Sequence, residues 1–514
     1  MYFNENCIYD GSFDETKFIV GFDLGNSDSA LSFYDFNTGK VEQLDISGGY
    51  GKASIPTVVQ YIKDTDEWVF GEYALMNKPL SDSITFQNLI SGLGKKHCYT
   101  IGKKTIEHSY ILSLYIKEIL GNIKNINPSA EIIGIAVSVA YLSEDAENEL
   151  LQAFMEAGYY DSLIGLFSEK QCIINKYCYD TEEIPSKIVA LDFGSREIRG
   201  GFYSLYKKGD TINVNMTSAF SENKISTSII DDEIYLLFEE YFKEGTGEFD
   251  ISPIHKLQLE AFTYQHKDLV LKSKKGIKLY FNFVYPPFQK SVEKESIENI
   301  TLEFRGKFYQ FINDIFERAN LKKKNSTNFE IDKVICCGGG FEMAWIKQSV
   351  LDIFGESRSV FYKSPKNILS QGACIIAIRH LGIKNVKNVV FTENVSLTQD
   401  IGLIFKEKDG GSKFVPFIEK DCFWWQKFAS KNVIINEFSG PPSLEIFKRN
   451  KEGSLILIDR IVLYDLPKRP KGTNCFNVLF EYIDKDKIIV KIKDLGFGEF
   501  FKPTNYEKDV IIEL

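Results

Sequence analysis

Histidine is scarce in this chain, 5 in 514 residues, and the five form no cluster. Neither a histidine-rich metal site nor a histidine-based nucleophilic triad has sequence support. The 9 cysteines are scattered, odd in number and without a pair at zinc-ligand spacing, so reduced, packed thiols are expected, with Cys336 and Cys337 inside an apolar strand. Long apolar runs are missing too. The longest, Ile132 to Leu142, contains Gly134 and Ser138 and falls far short of the roughly 18 residues of a membrane span, so it reads as a buried strand. Basic excess is lacking: a formal charge of −10 argues against a nucleic-acid partner. The local basic runs Lys272 to Lys278 and Lys322 to Lys324 read as solvated loops. The first residues are acidic and polar rather than basic and then apolar, so no secretory leader is expected and the protein is expected in the cytoplasm.

What the chain does have is a repeated strand-and-turn signature. Ile19-Val20-Gly21-Phe22-Asp23-Leu24-Gly25-Asn26-Ser27 returns in altered form as Ile188-Val189-Ala190-Leu191-Asp192-Phe193-Gly194-Ser195. Each is an apolar strand that delivers a carboxylate to its end, followed by a glycine turn whose backbone N–H groups can approach a phosphate. A third glycine turn, Gly338-Gly339-Gly340, follows the strand Val334 to Cys337. Two similar lobes facing one cleft are expected. At this length the chain should hold roughly three domains or sub-lobes.

Strand and helix signals alternate up to about residue 382. Strands are expected at Lys17 to Phe22, Ala30 to Phe36, Val58 to Ile62, Gly200 to Tyr206 and Asn213 to Phe220. Helices are expected at Glu107 to Ile119, Ser143 to Ala157, Asp231 to Phe242, Phe308 to Ala319 and Ile368 to His380. Leu381 to Ser396 reads as a connector, and from Ile401 seven short strands follow, the pattern of an all-β sandwich. The expected class is α/β, a two-lobed fold followed by a C-terminal sandwich. The expected divisions are 1–382, with lobes of about 1–187 and 188–382, a linker at 383–396 and the sandwich at 397–514.

The order of Asp23-Leu24-Gly25, Ile55-Pro56-Thr57-Val58-Val59, the Gly134 to Ala140 strand, Glu169, Asp192-Phe193-Gly194, Gly338-Gly339-Gly340 and Gly372-Ala373 resembles the actin-like ATPase domain of the seventy-kilodalton heat-shock chaperones. The closing strands around Ile461 to Gly472, Val478 to Asp484 and Ile488 to Asp494 look like that family's peptide-binding sandwich, which actins and sugar kinases do not carry.

The resemblance implies ATP or ADP with magnesium as cofactors. Gly25, Asn26, Ser27, Gly194, Ser195, Gly338, Gly339 and Gly340 would line the nucleotide, Asp23 and Asp192 would hold the magnesium through water, and Asp23, Glu169 and Asp192 would be the catalytic acids. Departures from the family pattern argue against turnover. Glu197 stands where an anion would sit and repels phosphate by roughly a kcal/mol or more. Phe86 to Gly92 contains no lysine, with Lys95 and Lys96 out of register; Glu342 replaces the adenine-stacking arginine, and Gln258 and Phe262 replace the lysine and serine of the adenosine helix. Ile84 to Glu107 is short for the family's outer sub-lobe, and no helical lid is expected after the sandwich.

The expected function is a chaperone-like protein-binding protein with a degenerate ATPase domain. The alternatives are an active chaperone using Lys95 or Lys96, and a scaffold or assembly subunit. A protein or peptide is the expected partner, taken by the sandwich, with Phe423, Trp424 and Trp425 as its aromatic contacts. No nucleic-acid or membrane partner is expected.

Overall fold

The computed structural model describes residues 2–513 except 5–6, 8, 10, 48–51, 53, 79–81, 103, 141, 274, 319–329, 384–385, 393–399, 407–410, 419–429, 436–442, 450–452, 465, 471 and 485–486. The chain is mixed α/β and divides into two compact units, residues 1–217 with 221–391, and residues 218–220 with 392–514. Among the described residues no helix is long and apolar enough to cross a membrane.

Alternation along the Lys17–Leu24 strand explains its place. Phe18, Val20, Phe22 and Leu24 enter one apolar core, while between them Ile19 and Gly21 lie against the Ile368–His380 helix. Gly21 is the point of closest approach: a Cβ there would lie 1.9 Å from the Ser370 carbonyl oxygen. Gly372, on that helix, plays the same part toward the Glu169–Asp180 helix, where a Cβ would lie 1.9 Å from the Cys172 carbonyl oxygen. Two helices and a strand can therefore meet backbone to backbone only because both positions lack a side chain.

The first unit contains two sheets with one topology. In the first, strands lie in the order Leu163–Ser168, Glu131–Val139, Lys17–Leu24, Asp28–Asp35, Lys40–Leu44. In the second the order is Ser359–Phe361, Lys333–Cys337, Lys187–Phe193, Ile198–Lys208, Thr211–Glu222. By rank along the chain both read fifth, fourth, first, second, third. The fourth strand is parallel to the first and fifth in each, and the second is antiparallel to the first. The repeat seen in the motifs is thus a repeat of whole sheets, and in each the central first strand ends at its Asp-x-Gly.

Three regions differ from the sequence reading. The expected connector contains a strand, Asn388–Thr392, which joins the outer edge of the second sheet beside Thr211–Glu222. The Arg379 Nη1 donates to the Val389 carbonyl at 2.8 Å, and Phe391 meets Tyr203 edge to face at 5.9 Å. No periodicity marked the helix Pro253–Lys272, which only the resemblance implied around Gln258 and Phe262; it starts at Ser252, whose hydroxyl accepts the His255 N–H with Pro253 in the first turn. It packs with helix Thr227–Thr246 around Phe238, Phe262 and Phe281. Phe262, expected near a nucleoside, belongs to this aromatic core. The helix expected at Phe308 to Ala319 begins much earlier, at Lys294–Arg318.

Among the described residues the second unit has eight strands rather than seven, the addition being Ser412–Ile418. They form two four-stranded sheets, one of Ser412–Ile418, Asp400–Lys406, Ser443–Arg449 and Leu455–Val462, the other of Lys431–Ile435, Asn474–Asp484, Lys487–Gly496 and Glu507–Glu513. Leu403, Ile446, Phe417 and Ile461 from the first share one core with Val433, Phe476, Val490 and Ile512 from the second.

A buried ion pair ties the turn before Asn474 to this core. Arg469 Nη1 and Nη2 each donate to one oxygen of Asp494 at 2.7 Å, with side-chain exposures of 4% and 0%. The carboxylate also accepts Thr504 N–H at 2.7 Å, Thr504 Oγ at 2.8 Å and Gly496 N–H at 3.0 Å. Burial alone would raise its pKa, but these donors hold it well below the usual carboxylate range. Asp494→Ala leaves the guanidinium buried and unpaired and is expected to cost about 3–5 kcal/mol. The readout is faster amide hydrogen exchange in Asn474–Asp484 and Lys487–Gly496, with the first unit's central strands unaffected.

Candidate functional site

The ends of the two central strands bring together the acids singled out in the sequence. Asp23 ends the buried run of Lys17–Leu24 and Asp192 that of Lys187–Phe193. Glu169 opens the helix that follows strand Leu163–Ser168. It is fixed there by a capping box in which Ser168 Oγ accepts the Gln171 N–H and Gln171 returns a bond to the Ser168 N–H. Asp23 feels the charges of both Glu169 and Asp192.

Among these carboxylates stands a residue the sequence reading did not select. Arg199 is the second residue of strand Ile198–Lys208 and the direct cross-strand partner of Asp192. Its Nη2 donates to Glu169 Oε1 at 2.9 Å and its Nε to Asp192 Oδ2 at 3.3 Å, while Nη1 lies 3.8 Å from Glu197 Oε1. Glu197, expected to repel phosphate, is part of the surroundings of this guanidinium. The available signal was an arginine inside an otherwise apolar strand start, opposite the motif aspartate across a four-residue turn.

One guanidinium cannot neutralise this many acids. Burial, then the charges of Glu169 and Asp192, raise the Asp23 pKa well above the carboxylate range, Arg199 only partly opposing them. Burial likewise raises Glu169 to about 7 and Asp192 above its ordinary value, again against Arg199. Burial disfavours the Arg199 charge, but the attraction of Glu169, Asp192 and Glu197 outweighs it and keeps the guanidinium protonated.

The glycine turns around the acids are engaged with one another. Ser27 Oγ donates to Ser195 Oγ at 2.8 Å. Asn26 Nδ2 donates to Asn88 Oδ1 at 2.7 Å and its Oδ1 accepts the Ser91 N–H at 3.0 Å, so its amide is turned to the 88–91 turn. The Gly25 carbonyl accepts from Thr57 Oγ1 at 2.8 Å. Gly194 N–H is bound to the Glu197 carbonyl at 3.0 Å, and Gly338 N–H to that of Pro365 at 3.1 Å. Gly338 has φ 88°, and a Cβ on it would strike Asp192 Oδ1 at 2.4 Å; at Gly339 it would meet Lys366 Cε at 2.9 Å and at Gly340 Phe193 Cγ at 2.3 Å. The third glycine turn is therefore accounted for by close packing.

Above the turns, further contacts cross from the first half to the second. Lys366 Nζ lies 3.8 Å from Asp28 Oδ2, Lys78 pairs with Glu260, Gln265 Nε2 reaches Met76 Sδ at 3.0 Å, and Lys52 lies 6.0 Å over the Tyr264 ring. Lys95 and Lys96 are both exposed.

A magnesium nucleotide does not fit this arrangement as it stands. Asp192 Oδ2, one of the oxygens that would hold the hydrated ion, is hydrogen-bonded to Arg199, and the two serine hydroxyls between which a phosphate would lie are hydrogen-bonded to each other. Among the described residues no group of three or more His, Cys, Asp or Glu is disposed to hold a metal ion. Phe423, Trp424 and Trp425, the expected partner contacts, lie outside the described residues.

The raised carboxyl pKa values make a stability statement. Between about 4.5 and about 7 the folded chain keeps on Glu169 a proton that the unfolded chain has lost. Its contribution to stability is therefore full at low pH and falls as pH rises through that window. Asp23 behaves in the same direction, burial being the largest cause. Asp23→Asn is expected to raise the melting temperature of the first unit by about 2–4 °C on the alkaline side, with the gain shrinking as pH falls. Calorimetry of both proteins as a function of pH checks it; a gain independent of pH would contradict the assignment.

Comparison with known families gives two matches. Residues 40–244 match the C-terminal part of a family of unknown function, DUF5716, and residues 396–514 match a domain of unknown function, DUF8552.

Proposed function

We propose that this chain is a chaperone-like protein-binding protein, built as a two-lobed actin-like ATPase fold followed by a peptide-binding β-sandwich, whose ATPase-type part does not turn over ATP. The repeated sheets, each with its central strand ending in Asp-x-Gly, support the first part of this reading, and the two four-stranded sheets with a common core support the second. The observation that carries the loss of turnover is the Arg199 guanidinium on Asp192 and Glu169. A carboxylate already paired with arginine is a poor base for water and a poor holder of a hydrated cation.

The alternative of an active ATPase with a substitute lysine draws no support from Lys95 and Lys96, which face solvent. The sandwich is the part of the molecule to which a client segment is assigned. A sheet edge takes an extended segment by backbone hydrogen bonds, and side-chain pockets select its sequence.

Two measurements test the reading. Titration of the full chain with magnesium ATP is expected to give no saturable heat, and phosphate release is expected to be indistinguishable in wild type and Glu169→Gln. A library of extended peptides is expected to yield sequences captured by the full chain and released at the same rate with or without ATP. Micromolar ATP binding, or phosphate release abolished by Glu169→Gln, would overturn the catalytic part; absence of any captured peptide would overturn the chaperone-like part.

A further inference from the structure

We propose that Arg199 is a built-in cation that clasps the two halves of the first unit together, filling from within the place among Asp23, Glu169 and Asp192 that a bound cation would otherwise take. The inference rests on the reading of this junction as an ATPase-type site and extends it: closure here depends on a side chain and not on a ligand.

Its geometry is that of a bridge. Arg199 belongs to a strand of the second sheet and pairs with Asp192 of the same sheet, yet its Nη2 reaches Glu169, at the start of the helix that leaves the first sheet. Three nitrogens of one guanidinium thus point at three carboxylates, Glu169, Asp192 and Glu197. A planar fork can do this where a lysine ammonium cannot, because its donors are spread in fixed directions. Next to the clasp, Ser27 of the first half and Ser195 of the second are in hydrogen-bond contact, so the turns are already shut at the point where the cation sits. Lys366, beside Asp28, repeats the device with a longer contact of 3.8 Å.

Removing the guanidinium has two consequences. The carboxylates are left without their counter-charge and the halves lose a link, so the turns part more often. At the same time a space bounded by acids is created that a small cation can fill.

The test is made on the full chain with Arg199→Ala and with Arg199→Gln, which keeps most of the side-chain bulk. Hydrogen exchange is read at Gly25 to Ser27, at Gly194 to Glu197 and at the first turn of Glu169–Asp180. Exchange at these segments is expected to quicken on the order of a hundredfold in both variants, the scale of breaking a buried ion pair, while Asn474–Asp484 in the second unit is unchanged. Guanidinium chloride at millimolar concentration, below any denaturing level, is expected to restore protection in Arg199→Ala where sodium chloride of equal ionic strength does not, and to leave the wild type unaffected.

Unchanged exchange in both variants would overturn the clasp, and so would exchange that quickens throughout the first unit without rescue by guanidinium, which marks a general packing role. Binding of magnesium ATP by the wild type would remove the underlying ATPase-type reading with Arg199 as its block. Failure of peptide capture leaves the exchange result standing.

Discussion

Carboxylates gathered where two sheets meet repel one another, and burial strengthens the repulsion, so they hold protons or take a positive charge among them. In the first unit that charge is Arg199. The repeated sheets each carry an aspartate to the end of a central strand, the helix after the first sheet adds Glu169, and the close approaches at Gly21 and Gly372 set how near these elements come. Once that backbone arrangement is fixed, the acids at the shared end are relieved by one guanidinium and by protons, whatever the site is used for.

The two units show opposite outcomes of the same kind of pairing. Asp494 has one bidentate arginine to itself together with three further donors, and its carboxylate is held ionised. Asp192 and Glu169 divide one arginine between them with Glu197 close by, and their pKa values rise. The difference is one of stoichiometry. A carboxylate with several donors is a fixed structural anion, whereas three or four acids around one guanidinium remain responsive to protons and to any added cation.

Much of this frame was legible in the sequence because it is local. Apolar strands with a terminal Asp-x-Gly, and the Ser143 helix start, are set by neighbours within a few residues. The strand Asn388–Thr392 was not legible, since five residues with a short apolar centre become a strand only by pairing with Thr211–Glu222, far away in sequence. Arg199 lay between: the turn between Phe193 and Ile198 places it opposite Asp192, but Glu197 drew the reading because it departs from an expected turn composition. The helix Pro253–Lys272, implied only by the resemblance, did carry a Ser-Pro start, yet its apolar residues make no single sharp stripe.

The edge strand Asn388–Thr392 also has a mechanical meaning. The second compact unit begins at Thr392, so a pull on it is delivered through the covalent chain to a strand hydrogen-bonded along the margin of the second sheet and bound by Arg379 at Val389. Load entering there is spread over a ladder of backbone bonds before it reaches the Ile368–His380 helix that carries Arg379.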